Sequence, residues 1–348
     1  MVQLVGGGVY AALDLGTTNC RLLIARPAGA MGFRVVDSFS RIVRLGEGLE
    51  ASGELTEAAI ERTLKALEIC SAKLARWRVI GLRAVATEAC RRAANCGRFV
   101  ERVRRELGLE LEIITSAEEA RLVLAGCTPL LSARHPRAIV FDIGGGSTEI
   151  LWLTVERGAD GRLGTIIRGM VSLPFGVVSL SERCAGAACD GDAFARMLAE
   201  LRPALDEFDA ALGIGQALAR SEVQMLGSSG TVTTLAAMQL GLPRYDRARV
   251  DGVSLDFGAI EKLTQELVRS SVETRAHHPC IGTARADLMI AGCAILAAIC
   301  ERWPAGRLRV ADRGVREGIL AGLALEARAA SQDQAASAAC LPTTPLPT

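Results

Sequence analysis

Two short segments of this chain are spelled alike: Asp14-Leu-Gly-Thr-Thr18 and Asp142-Ile-Gly-Gly-Gly-Ser-Thr148. Each follows an apolar run, Val9 to Leu13 and Ala138 to Phe141, and each precedes another, Arg21 to Ile24 and Ile150 to Leu153. The pattern is that of strand, acidic residue, Gly/Ser/Thr turn, strand. Glycine lets the backbone turn tightly and approach a ligand closely. A turn with several free N–H groups and hydroxyls is an anion nest. An Asp at the strand end can hold a metal or a water. Two such hairpins facing one another would grip a phosphate and a cation. Three consecutive glycines cost folding entropy, which makes sense if a bulky anion must lie against the backbone.

The candidate phosphate-binding residues are therefore Asp14, Gly16, Thr17, Thr18, Asn19 and Arg21 in the first hairpin, and Gly144, Gly145, Gly146, Ser147 and Thr148 in the second. A third glycine segment, Gly227, Ser228, Ser229 and Gly230, precedes the helical sequence Val232 to Leu240. It can present backbone N–H groups at a helix N-terminus, where anions bind.

Around these segments the chain alternates strands and helices. A strand fits Phe33 to Val36, a helix Thr56 to Trp77, one buried strand Val79 to Leu82 with Ala84 to Ala86, helical sequence Phe99 to Leu107, and a strand Leu111 to Ile114. Ser116 can N-cap a helix over Glu118 to Gly126. Pro129 to Pro136 reads as a linker. After it the pattern partly repeats, with extended sequence over Gly164 to Val171. The expectation is an α/β protein of two related domains, each opening with its own phosphate hairpin. The tail from about Ala329 reads as disordered.

Composition narrows the function. The chain of 348 residues has a formal net charge of +1, so a nucleic-acid partner is not implied. Lys65, Lys73 and Lys262 are the only lysines, and Arg, the better bidentate phosphate ligand, supplies the other cations. Eleven cysteines are scattered without a C-x-x-C, and His135, His277 and His278 are the only histidines, which argues against a zinc site and fits reduced thiols in a cytoplasmic protein. The N-terminus does not read as a signal peptide. The longest apolar run, Leu288 to Cys300, is too short to span a membrane.

The paired hairpins resemble the phosphate loops of the actin, sugar-kinase and heat-shock-chaperone superfamily. Within it the chain is similar to the exopolyphosphatase and guanosine pentaphosphate phosphohydrolase family. That narrower likeness rests on Ala86-Thr-Glu-Ala-Cys-Arg91, Ile114-Thr-Ser-Ala-Glu-Glu-Ala-Arg121, Gly227-Ser-Ser-Gly-Thr231 and Ala311-Asp-Arg-Gly-Val-Arg-Glu-Gly318. Weaker support comes from Ser172-Leu-Pro-Phe-Gly176 and Arg285-Ala-Asp-Leu-Met-Ile-Ala-Gly292. The resemblance implies two actin-like (ribonuclease H-like) domains, each a mixed β-sheet flanked by helices, with a cleft between them. The first would take residues 1–130, completed by a last helix over about 312–328, and the second residues 131–311.

The same resemblance implies the chemistry. Glu119 would activate the attacking water, and Arg91 would stabilise charge on the transferred phosphoryl group. Asp142 and Glu149 would hold Mg²⁺, with Asp14 contacting it through water; another divalent cation, or a monovalent one such as K⁺, is also admitted. Inorganic polyphosphate or guanosine pentaphosphate would be the substrate, and a homodimer is a further expectation from short family members. Arg313, Arg316 and Glu317 would tie the domains together, while Arg41, Arg44 and Arg285 would line the cleft. Two spellings depart from the family: Thr17-Thr18-Asn19 in the first loop, and Ser116 where a glycine is usual. The first also resembles sugar kinases, so an ATP-dependent small-molecule kinase is the second reading. A nucleotide-binding chaperone is the third, opposed by the absence of room for a peptide-binding domain after residue 328.

Overall fold

A computed structural model describes residues 8–28, 32–158, 161, 163–184, 191–220 and 222–339. Two mixed sheets organise them. The first joins β1 (Tyr10–Leu15), β2 (Asn19–Ala28), β3 (Gly32–Ile42), β4 (Gly81–Ala86) and β5 (Glu112–Ile113) in the order β3-β2-β1-β4-β5. The second joins β6 (Arg137–Ile143), β7 (Thr148–Arg157), β8 (Leu163–Leu173), β9 (Val223–Ser229), β10 (Ser254–Asp256) and β11 (Arg307–Ala311) in the order β10-β11-β9-β6-β7-β8.

The same topology is used twice. β1 pairs antiparallel with β2 and parallel with β4, as β6 does with β7 and β9. Even the turn bond is shared: Gly16 N–H donates to the Asn19 carbonyl at 2.9 Å, and Gly144 N–H to the Ser147 carbonyl at 2.9 Å. The register places Arg21 opposite Asp14 in the first hairpin and Glu149 opposite Asp142 in the second. The fold is thus two actin-like (ribonuclease H-like) lobes.

Several boundaries differ from the sequence reading. β3 is much longer than Phe33 to Val36, because it follows β2 as a twisted edge strand with a bulge at Ile24/Ala25. Thr115, not Ser116, caps the helix Ser116–Cys127: its backbone is extended and its hydroxyl accepts from Glu118 N–H at 3.1 Å. The last helix runs Val315–Ala339, past residue 328, so residues 329–339 are helical rather than disordered. Residues 340–348 lie outside the described residues.

Each sheet has its own outer core. The first covers the Glu57–Trp77 and Cys96–Leu107 helices, the second the Gly191–Leu212, Gly230–Gln239 and Met289–Arg302 helices. A third cluster lies between the sheets. Leu122, Val123 and Cys127 from the Ser116–Cys127 helix and Val315, Ile319 and Leu320 from the last helix meet Ala12 and Leu23 of one sheet and Val140 and Leu151 of the other. These two helices form a shared middle layer and cross very closely. A Cβ at Gly318 would stand 2.0 Å from the Leu122 carbonyl oxygen, and one at Gly126 would stand 2.3 Å from that of Gly314.

Alanine normally stabilises a helix over glycine by up to ~1 kcal/mol. Gly322, on the same helix, has nothing within 4 Å of its would-be Cβ. Gly322→Ala is therefore expected to raise the denaturant midpoint slightly. Gly318→Ala should lower stability by about 1–3 kcal/mol through overpacking. Equilibrium unfolding of the two variants checks the sign.

Candidate active site

The parallel strands β1, β4, β6 and β9 all end on the same side, where ligands collect in open α/β sheets. The two hairpin tips meet there. A Cβ on Gly145 would lie 2.2 Å from Thr18 Oγ1 and 3.0 Å from the Thr18 backbone nitrogen, so only glycine permits this approach. Between the tips is a cavity of about 110 Å³. Of the sequence-selected residues it gathers Asp14, Gly16, Thr17, Thr18, Asn19, Arg21, Glu119, Asp142, Gly144, Gly145, Gly146, Ser147, Ser229 and Gly230. Thr87, Glu88 and Arg285 also line it. Glu88 carried no assigned role in the sequence, although it stands inside the Ala86–Arg91 motif.

A second chamber of about 520 Å³ shares Asp14, Arg21, Asp142 and Arg285 with the first. Ser228, Tyr245, Arg247, Asp312, Arg313 and Arg316 add to its wall. Among the described residues, no side-chain hydrogen bond or ion pair is seen for the Arg21 and Arg285 guanidinium groups, and that of Arg316 approaches Glu317 at 3.8 Å. Burial and the neighbouring Arg21 lower the Arg285 pKa from its ordinary value. Burial does the same to Arg316, with Arg21 adding to the effect. Such mutual repulsion is relieved by an anion.

Three expected ligands fall elsewhere. Gly227 is inside β9, not in a turn; a Cβ there would stand 2.5 Å from the Phe141 ring, so its glycine makes room for the core. Thr148 opens β7 on the opposite face from Ser147, and its hydroxyl donates to the Phe175 carbonyl at 2.7 Å. Arg91 does not line either chamber. Its Nη1 donates to Glu119 Oε2 at 2.8 Å and to the Ile114 carbonyl at 2.9 Å, while Nε and Nη2 hold Glu88 Oε2 at 3.0 and 2.8 Å. Four of its five guanidinium N–H groups are thereby used, three on two glutamates and one on the Ile114 carbonyl.

Glu119 sits in the first turn of its helix, where the dipole favours a carboxylate. Arg91 fixes one of its oxygens, and its side chain lines the phosphate cavity. Burial and the Glu149 charge push its pKa well above the ordinary value, against the pull of Arg91. Glu149 lies one layer back: Oε1 accepts from Ser147 and Ser172 hydroxyls at 2.8 Å each, while Oε2 is buried without a partner. Burial also raises Asp14, opposed by Arg21 and Arg316. Asp142 is pushed up to about 7 by burial and then by Glu149.

The donor set suits a hard cation. Glu149 Oε2, Thr17 Oγ1, Thr18 Oγ1 and Asn19 Oδ1 are all buried oxygens without partners. Among the described residues no three acidic, thiol or imidazole groups converge as a closed metal cage. Few protein carboxylates, with water and substrate oxygens completing the shell, is what Mg²⁺ takes.

The other named residues serve the frame. Arg313 Nε donates to Asp251 at 2.7 Å and Arg247 to Glu317 at 2.6 Å, which ties the last helix to the second lobe. Arg44 grips Asp287 with bonds of 2.8 and 2.6 Å across the lobes, and Arg41 stacks over Phe39. Neither lines the two chambers. Among the described residues no helix is long and apolar enough to cross a membrane.

The raised Asp142 pKa sets a pH dependence. Below its ordinary 3.8 the group is protonated folded or unfolded. Between there and about 7 the unfolded chain gives up a proton that the folded one keeps, so stability falls as pH rises. In the presence of a chelator, the melting temperature is expected to drop between pH 4.5 and 7.5. Asp142→Asn should flatten that drop and melt higher than wild type at pH 7.5; parallel pH profiles would refute it.

The site geometry agrees with what comparison of the whole chain finds. Residues 23–327 match the model of the Ppx/GppA phosphatase family. The chain is 30% identical over 327 residues to exopolyphosphatase 2 of Mycobacterium tuberculosis, covering 90% of this chain and 98% of that protein. The crystal structure of the Aquifex aeolicus Ppx/GppA family member superposes with a TM-score of 0.72 at 30% identity, over 92% of this chain and 98% of the other. An exopolyphosphatase-like protein superposes with a TM-score of 0.80 at 27% identity, over 91% and 97%. The chain belongs to the Ppx/GppA phosphatase family.

Proposed function

We propose that the protein is a divalent-cation-dependent phosphoric anhydride hydrolase, which removes the terminal phosphate of inorganic polyphosphate or guanosine pentaphosphate as orthophosphate. The observation that carries this reading is the pair of joined chambers. The smaller, between the hairpin tips, has room for one phosphoryl group and its water; the larger, with Arg21, Arg285 and Arg316, accepts the remaining anionic chain. The similarity to exopolyphosphatase 2 points the same way.

In this reading the backbone N–H groups of Gly145, Gly146, Thr17 and Thr18 bind the terminal phosphate. Glu119 accepts a proton from the attacking water, and its raised pKa makes it a stronger base. Arg91 aims that carboxylate. Asp142 and Glu149 would hold Mg²⁺, which supplies charge neutralisation at the phosphoryl oxygens. Arg21 and Arg285 steady the chain while its terminal bridge breaks.

The test is orthophosphate release from long polyphosphate, tripolyphosphate, guanosine pentaphosphate and ATP, with and without Mg²⁺. Glu119→Gln should lower kcat by about 10²- to 10⁴-fold with intact folding. Full activity in that variant would remove Glu119 as the base. Arg91→Met should also lower kcat. It should move the acid limb of the pH–rate profile to higher pH, because Arg91 holds the Glu119 pKa down. Phosphate transfer to a sugar without polyphosphate hydrolysis would return the case to the kinase reading.

A further inference from the structure

The phosphate cavity is flanked on two sides. On one side it opens into the arginine-lined chamber. On the other, past Thr17, Glu88 and Gly146, is a gap of about 10 Å³, enough for a single water. This gap lies in the seam between the lobes: Leu49, Glu50 and Arg92 come from the first, Val178 and Glu182 from the second.

Beside the apolar Leu49 and Val178, polar contacts close the seam. Glu50 accepts from Arg92 of its own lobe and from Arg183 Nε across the seam at 3.1 Å. Gly48 N–H donates to Glu182 Oε1 at 2.8 Å. Arg183 also donates to the Pro174 carbonyl at 3.1 Å and lies over the Phe175 ring. Two guanidinium groups from opposite lobes therefore share one carboxylate. All three side chains are partly open to solvent, at 16% for Glu50, 32% for Arg92 and 30% for Arg183. An exposed ion pair of this kind is easily exchanged.

Hydrolysis at the chain end leaves orthophosphate boxed between the shortened chain and this seam. We propose that orthophosphate leaves through the seam while the chain stays in the arginine chamber, with Glu50 as the gate and Arg92 and Arg183 as the cations that draw the anion out. A phosphate dianion competes well with one carboxylate for two guanidinium groups, since each can bind it in bidentate fashion. The exit lets the chain advance without dissociating. This inference rests on the hydrolase reading given above.

The experiment mixes the enzyme rapidly with long polyphosphate and Mg²⁺ and follows two signals. Acid quench reports total orthophosphate, and a fluorescent phosphate-binding protein reports the free anion. Wild type should show free phosphate lagging cleavage, with long chains shortening and no ladder of released intermediates. Arg92→Gln combined with Arg183→Gln should leave the cleavage rate within twofold and lengthen the lag at least fivefold. Glu50→Gln should shorten the lag. A lag that is absent, or the same in all three proteins, overturns the gate. So does free phosphate that appears only as shortened chains are shed. No cleavage by wild type in the quench would instead sink the hydrolase reading, and the gate with it.

Discussion

The contact of Gly145 with Thr17 and Thr18 sets the geometry of everything around it. Two lobes of about the same plan could face each other at many separations. Here the backbone of one phosphate turn rests against the threonines of the other, at distances that no side chain on Gly145 would allow. The closure fixes the small cavity, brings Asp14 and Asp142 to its border, and puts the first turn of the Glu119 helix beside it. The middle layer of two helices keeps the sheets at the spacing this contact needs.

Charge is the second constraint. Asp14, Glu119, Asp142 and Glu149 are crowded and buried, and burial raises the pKa of each. Arginines of the neighbouring chamber repel one another in turn. Neither set is relaxed alone. A cation would relieve the acids and an anion the arginines, so each set of charges favours a counter-ion of its own. The duplicated hairpins make the division visible, for Arg21 and Glu149 occupy equivalent register positions in the two lobes. The same register position thus carries a cation in one lobe and an acid in the other.

Much of this is legible in the sequence because it is local. Strand alternation and glycine spacing reveal both hairpins, and the acidic pair after Thr115 places Glu119 at a helix start. What is not legible depends on partners distant in the chain. The sequence around Arg91 does not reveal that it bonds Glu88 and Glu119. Gly227 looks like part of a nest, but its neighbour is the Phe141 ring. Thr148 differs from Ser147 only in facing the other side of a pleat. Arg285 reaches the larger chamber from a turn and Arg316 from the start of the last helix, a convergence that no local pattern encodes.

The middle layer has a consequence for biosynthesis. The helix Ser116–Cys127 is made well before its partner Val315–Ala339. Until that partner leaves the ribosome, the inner face of the first sheet lacks the helix that packs on it. Contacts so distant in sequence form slowly, because a long loop must close before they are rewarded. The nascent first lobe is therefore the stage most exposed to aggregation and to chaperone capture.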